Sequence, residues 1–170
     1  KEEAAAPKDE PKAEKKADEW TFTSDPGLPN VLILGDSISI GYTLEVRSLL
    51  KGRANVYRPL RADGKNAENC AGTTRGVSDL DGWLGDCKWA VIHFNWGLHD
   101  LKRVKEPGAD EGSTNPADPP QATLEQYGRN MALLVDRLRA TGARLVFATT
   151  TPVVPGTRNP YRDPEDPARY

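Results

Sequence analysis

Two short, continuously apolar runs, VLILGD from Val31 and WAVIHF from Trp89, constrain the fold more than any other feature of the chain. Runs of this length, rich in branched side chains and without polar alternation, suit strands buried on both faces of a parallel sheet. Between them lie helical patterns. Residues 41–51 carry Leu44, Val46, Leu49 and Leu50, with Gly52 placed to end the helix, and residues 74–84 carry Val77, Leu80, Trp83 and Leu84. Residues 54–57 form a short strand candidate. Further on, residues 122–140 place Leu124, Tyr127, Met131, Leu134, Val135 and Leu138 on one side of a helix, and RLVFATT, residues 144–150, reads as a fourth strand. Strands alternating with helices imply an α/β fold, a parallel sheet with helices on both faces.

The 170 residues suffice for one domain, expected over residues 30–170 behind a charged lead-in over residues 1–29. The opening KEEAAAPKDEPKAEKKADEW has little to bury and reads as a disordered tail, the spacer behind a removed signal peptide or lipid anchor. An exported protein is the expectation, with a cytoplasmic one left open. Lys+Arg 23 against Asp+Glu 25 gives a net charge of -2, without the basic footprint of a nucleic-acid partner. No apolar run is long enough for an integral membrane segment. Cys70 and Cys87 form either a disulfide or two buried free thiols. With no C-x-x-C and only His93 and His99 as histidines, neither a metal nor another cofactor is expected. Nothing in the pattern sets the oligomeric state.

Open α/β sheets bind ligands at the carboxyl ends of their strands, which directs attention to GDSIS after the first strand, NWGLHD after the third, and NCAGTT before the second helix. A serine in the turn from strand to helix, here Ser37, combines an exposed hydroxyl with the positive end of a helix, where a nucleophile and an oxyanion are both favoured. The competing reading makes Ser37 or Ser39 a helix cap. Asp36 is expected to anchor the turn, Asp100 to cap the segment after it, Arg75 to be solvated, and His93 to pack in the core. Trp96 either stacks on a sugar ring or packs internally. The polar stretch 100–120 is a long loop of the kind that often carries function.

GDSIS resembles the first signature block of the SGNH/GDSL hydrolases, a family of serine esterases and acetylesterases. AGTTR is similar to the end of their second block and GLHD to their third, usually G-x-N-D. The resemblance runs from residue 31 to 151 in order and spacing. It implies a three-layer α/β/α fold with a flavodoxin-like parallel sheet, Ser37 as nucleophile, and an oxyanion hole from Ser37, Gly72 and His99. Ala71 replaces Gly72 if the register shifts by one. His99 stands where the family has asparagine, and Asn95 is a nearby alternative donor. The last block, D-x-x-H, supplies the base and its orienting aspartate in that family, and no histidine follows His99. The expectation is therefore a truncated domain, inactive alone, whose closing strand, helix and D-x-x-H lie beyond Tyr170. The implied substrate is an O-acyl ester, with acetyl groups on a carbohydrate favoured by the export-like tail and the polar loop. The alternative is a non-catalytic carbohydrate-binding or scaffolding module on the same fold.

Overall fold

The structure, a computed structural model, describes residues 19–156 and 159–170. Residues 1–18 of the expected tail lie outside them. Four strands, β1 (Asn30–Leu34), β2 (Asn55–Tyr57), β3 (Val91–Phe94) and β4 (Arg144–Phe147), alternate with three helices, α1 (Ser37–Leu49), α2 (Thr73–Leu84) and α3 (Leu124–Ala140). The sheet is parallel throughout, in the order β2-β1-β3-β4, with Leu32 opposite Ile92 and Ile92 opposite Leu145.

The side-chain period of two divides the sheet between two layers. Leu32, Leu34, Ile92 and Phe94 join Leu80 of α2 and Leu134 and Leu138 of α3 in the main core. On the other face His93 meets Tyr42 of α1 edge to ring at 5.9 Å. Strand order reverses between β1 and β3, so the chain leaving β1 turns one way and the chain leaving β3 the other. In open α/β sheets ligands bind at such a reversal, at the carboxyl ends of the flanking strands.

Two boundaries differ from the sequence expectation by three residues or more. α1 starts at Ser37, four residues before the apolar pattern does, because Asp36 caps it by accepting the Ile38 N–H at 2.9 Å. β4 ends at Phe147 instead of 150. The chain end, read as polar and loose, is pinned. Arg103 N–H donates to Tyr161 O (2.8 Å), Arg162 Nε to Leu98 O (2.8 Å), and Tyr170 Oη to Ala122 O (2.9 Å). The loop beneath it buries Leu101, Val104 and Ala122. Of the lead-in, Phe22 docks on Tyr57 at 4.9 Å, beneath the guanidinium of Arg47. Cys70 is buried and Cys87 half-buried, and both are free thiols.

Candidate active site

The turn after β1 is built so that little but glycine and serine fits. Gly35 has φ +154°, and a Cβ there would lie 2.8 Å from Ser39 Oγ and 3.3 Å from Asn95 O. Asp36 is buried, while Ser37 is exposed at the first position of α1. The cap is thus Asp36, and Ser39 Oγ donates back to Asp36 O at 2.7 Å. Ser37 Oγ has no hydrogen-bond partner among the described residues and remains available for chemistry.

The second segment reaches the turn through Cys70, whose N–H donates to Gly35 O at 3.1 Å. Ala71 N–H donates to Asn69 Oδ1 at 2.9 Å, and Thr73 N–H to both oxygens of Asp100, at 2.9 and 3.1 Å. Between them, Gly72 N–H has no acceptor among the described residues. The same holds for Ser37 N–H, although its neighbour Ile38 is bonded to Asp36. Two unbonded amides therefore stand at the N-termini of two helices, where the helix dipoles add to their positive potential. This pattern separates Gly72 from the alternative Ala71, whose amide is already used.

Asp100 is nearly fully buried and holds the start of α2 from across the sheet. Burial pushes its carboxyl up to about 6, against the lowering effect of its bonds to Thr73. His99 is half-buried. Burial first, then the charge of Lys102, holds its imidazole below the usual histidine range, so it is neutral at pH 7 with one ring N–H to donate. Asp36 acts on it in the opposite direction and more weakly than burial or Lys102. Beside Gly72 lies a cleft of about 250 Å³, lined by Ala71, Arg75, Asp100, Asp110 and Gln121 among others. Arg75 is neutralised there by Glu68 (3.4 Å) and Asp79 (3.0 Å). Among the described residues no group of three or more His, Cys, Asp or Glu side chains is placed to hold a metal ion.

No protein-family model matches the chain, and no curated protein matches it by sequence. Solved structures do. A Bacteroides fragilis protein assigned as an acylhydrolase aligns with TM-score 0.55 at 13% identity, over 85% of this chain and 60% of its own. A GDSL-like lipase from Bacteroides thetaiotaomicron aligns with TM-score 0.51 at 12% identity, over 82% and 57%. The fold is that of the SGNH/GDSL hydrolases. A carbohydrate esterase family 3 protein from Talaromyces cellulolyticus follows at TM-score 0.48 and 12% identity, over 77% and 66%. The chain spans about three fifths of the length of the first two structures.

Of the two residues offered as possible substrate contacts, Trp96 follows its internal-packing reading and Asn95 is engaged elsewhere. Trp96 is 1% exposed, its indole N–H points to Cys70 O, and its ring lies where a Cβ on Gly76 would touch it. It is a core side chain and cannot stack on a sugar. Asn95 gives both amide hydrogens away, to Ala148 O (2.7 Å) and Thr149 O (2.9 Å), and so ties β3 to the chain after β4. Gly97, at φ +150°, admits Thr150 so closely that a Cβ would fall 2.0 Å from its Oγ1. Sequence reasoning also missed Arg58, a buried cation immediately after β2. The strand-end rule that singled out the ends of β1 and β3 points equally to this one.

Proposed function

We propose that this chain is the nucleophile-bearing part of a serine esterase that hydrolyses an O-acyl ester, with an acetylated carbohydrate as its substrate class. The observation that carries the reading is that Ser37 N–H and Gly72 N–H, at the starts of two helices whose leading segments are joined by the Cys70 N–H bond to Gly35 O, are both free and the Ser37 hydroxyl is exposed and unbonded, when the adjoining amides of Ile38, Ala71 and Thr73 are all taken. Ser37 Oγ attacks the ester carbonyl carbon, its proton passes to a base, and the carbonyl oxygen takes the charge between the two amides. One well-placed donor of this kind is worth about 10²–10³ in kcat. Neutral His99 is the third donor proposed for that oxygen.

Serine requires a base. Neither histidine of the described residues is hydrogen-bonded to Ser37, and we place the base in a D-x-x-H segment that follows Tyr170. The cleft beside Gly72 offers Thr74, Arg75, Asp110 and Gln121 as hydrogen-bonding groups for a hydrated sugar. The deciding experiment is hydrolysis of p-nitrophenyl acetate and of an acetylated oligosaccharide by the full-length protein. Ser37→Ala is expected to fall to background, and His99→Ala to lose about 10–100-fold in kcat. A wild-type rate equal to that of Ser37→Ala would replace this reading with carbohydrate binding without catalysis.

A further inference from the structure

Arg58 is 5% exposed, and no carboxylate is among its hydrogen-bond partners. Its guanidinium makes five hydrogen bonds instead. Nε and Nη2 donate to Glu68 O at 3.1 and 3.0 Å. Nη2 also donates to Gly35 O (2.5 Å) and Asp36 O (3.2 Å), and Nη1 to Ser39 Oγ (2.7 Å). Burying a guanidinium without a bonded carboxylate is costly, and an apolar side chain of similar size would usually serve packing better. What an apolar residue cannot do is hold carbonyls from two separate segments at fixed spacing. The planar fork of arginine does this, and the single ammonium of lysine does not.

The two segments are those that carry the free amides. Gly35 and Asp36 immediately precede Ser37, and Glu68 lies four residues before Gly72 on the loop that Cys70 joins to Gly35. With the Gly35 and Asp36 carbonyls turned down onto the guanidinium, the next amide, Ser37 N–H, is left free. We infer that Arg58 is a positioning residue, setting the separation and direction of the Ser37 and Gly72 amides by clamping the turn after β1 to the loop before α2. The inference rests on the esterase reading for its consequence in turnover, but the clamp itself is a property of the fold.

The experiment uses the full-length protein with Arg58→Lys, Arg58→Gln and Arg58→Gly, and Ser39→Ala as a milder change that removes the Nη1 acceptor together with the Ser39 Oγ bond to Asp36 O. Arg58→Lys and Arg58→Gln are expected to lose about 10–100-fold in kcat on p-nitrophenyl acetate with KM changed less than about threefold, since a displaced oxyanion hole weakens transition-state and not ground-state binding. Ser39→Ala is expected to lose about two- to fivefold. Added guanidinium chloride at tens of millimolar should restore Arg58→Gly at least about tenfold, and sodium chloride at equal ionic strength should not. Unchanged kcat in Arg58→Gln, or full activity in Arg58→Lys, overturns the proposal, as does Ser39→Ala at the wild-type rate if the Arg58 variants fail to fold. If wild type and Ser37→Ala prove equally inactive, the esterase reading has failed and amide hydrogen exchange decides the clamp. Peptides spanning residues 34–38 and 68–73 should exchange about tenfold faster in Ser39→Ala and Arg58→Gln than in wild type, with β3 unchanged. Equal exchange in those peptides overturns it.

Discussion

Asp100 ties the ionisation of one buried carboxyl to the geometry of α2, and the tie can be measured as stability. Its folded-state pKa, about 6, lies above the ordinary value of 3.8 because burial disfavours the charge more than the Thr73 bonds favour it. A raised carboxyl pKa means that the folded state binds the proton more tightly than the unfolded chain. The stabilisation is therefore fully present below the unfolded value and is lost as pH rises through the folded one. At about 1.4 kcal/mol per unit, the loss between pH 4 and 7 is on the order of 3 kcal/mol. Asp100→Asn cannot titrate. Its stability relative to wild type should improve by about that amount over the same range, read by urea unfolding at several pH values. A difference that stays flat with pH would mean that Asp100 is not the buried titrating group described here. Above pH 6 the ionised form remains the better double acceptor for Thr73, so the charge carries a cost in stability at the place where it holds the start of α2.

At the scale of elements, what could be read in the sequence followed burial of apolar side chains. β1, β3 and α3 were legible because their buried residues are Leu, Ile, Phe and Tyr at strand or helix spacing, and β4 from its apolar run alone, since none of its residues is fully buried. The first turn of α1 was not, because the residues it buries are Ser39 and Thr43, with Thr43 Oγ1 bonded to Ser39 O at 2.6 Å. Such a turn has no apolar period to detect, and its start is set by the Asp36 cap. For the same reason the motif residues Ser37 and Gly72 could be found by position, while the partners that aim them could not. Arg58, Asp100 and the two bonds of Asn95 depend on contacts between distant segments. The segment from Tyr161 to Tyr170 shows this most clearly, since its composition suggests a loose end. Asp166 accepts from Arg103 at 3.3 Å with both side chains largely buried, and the Tyr170 ring lies 5.1 Å from that of Tyr127. Breaking one member of a buried pair leaves a charge uncompensated, so Asp166→Asn should cost about 1–3 kcal/mol and speed exchange in residues 100–122. Exchange confined to residues 161–170 would show that the strap does not support the loop.

For the whole molecule, the site and the open side of the sheet are separate. The turn after β1 and the loop before α2 meet at the β1/β3 reversal, in the interior of the strand order. β4 is one of the two edge strands and has no fully buried residue. Val146 and Phe147, on opposite faces, are 42% and 45% exposed, and only Phe94 of β3 stacks on Phe147, at 5.3 Å. An apolar edge of this kind is a surface that favours further pairing. If the sequence after Tyr170 supplies the base, the simplest route brings a strand alongside β4 and a helix over the Val146 face, returning the chain to the carboxyl ends where Ser37 lies. Val146→Lys in the full-length protein separates the cases. A residue that remains at the surface tolerates lysine within about 0.5 kcal/mol, whereas one covered by a docked element would lose about 2 kcal/mol or more from a buried, unpaired charge. Denaturant unfolding reads the difference. A neutral result would leave the β4 edge as true surface and require the base to reach Ser37 by another path.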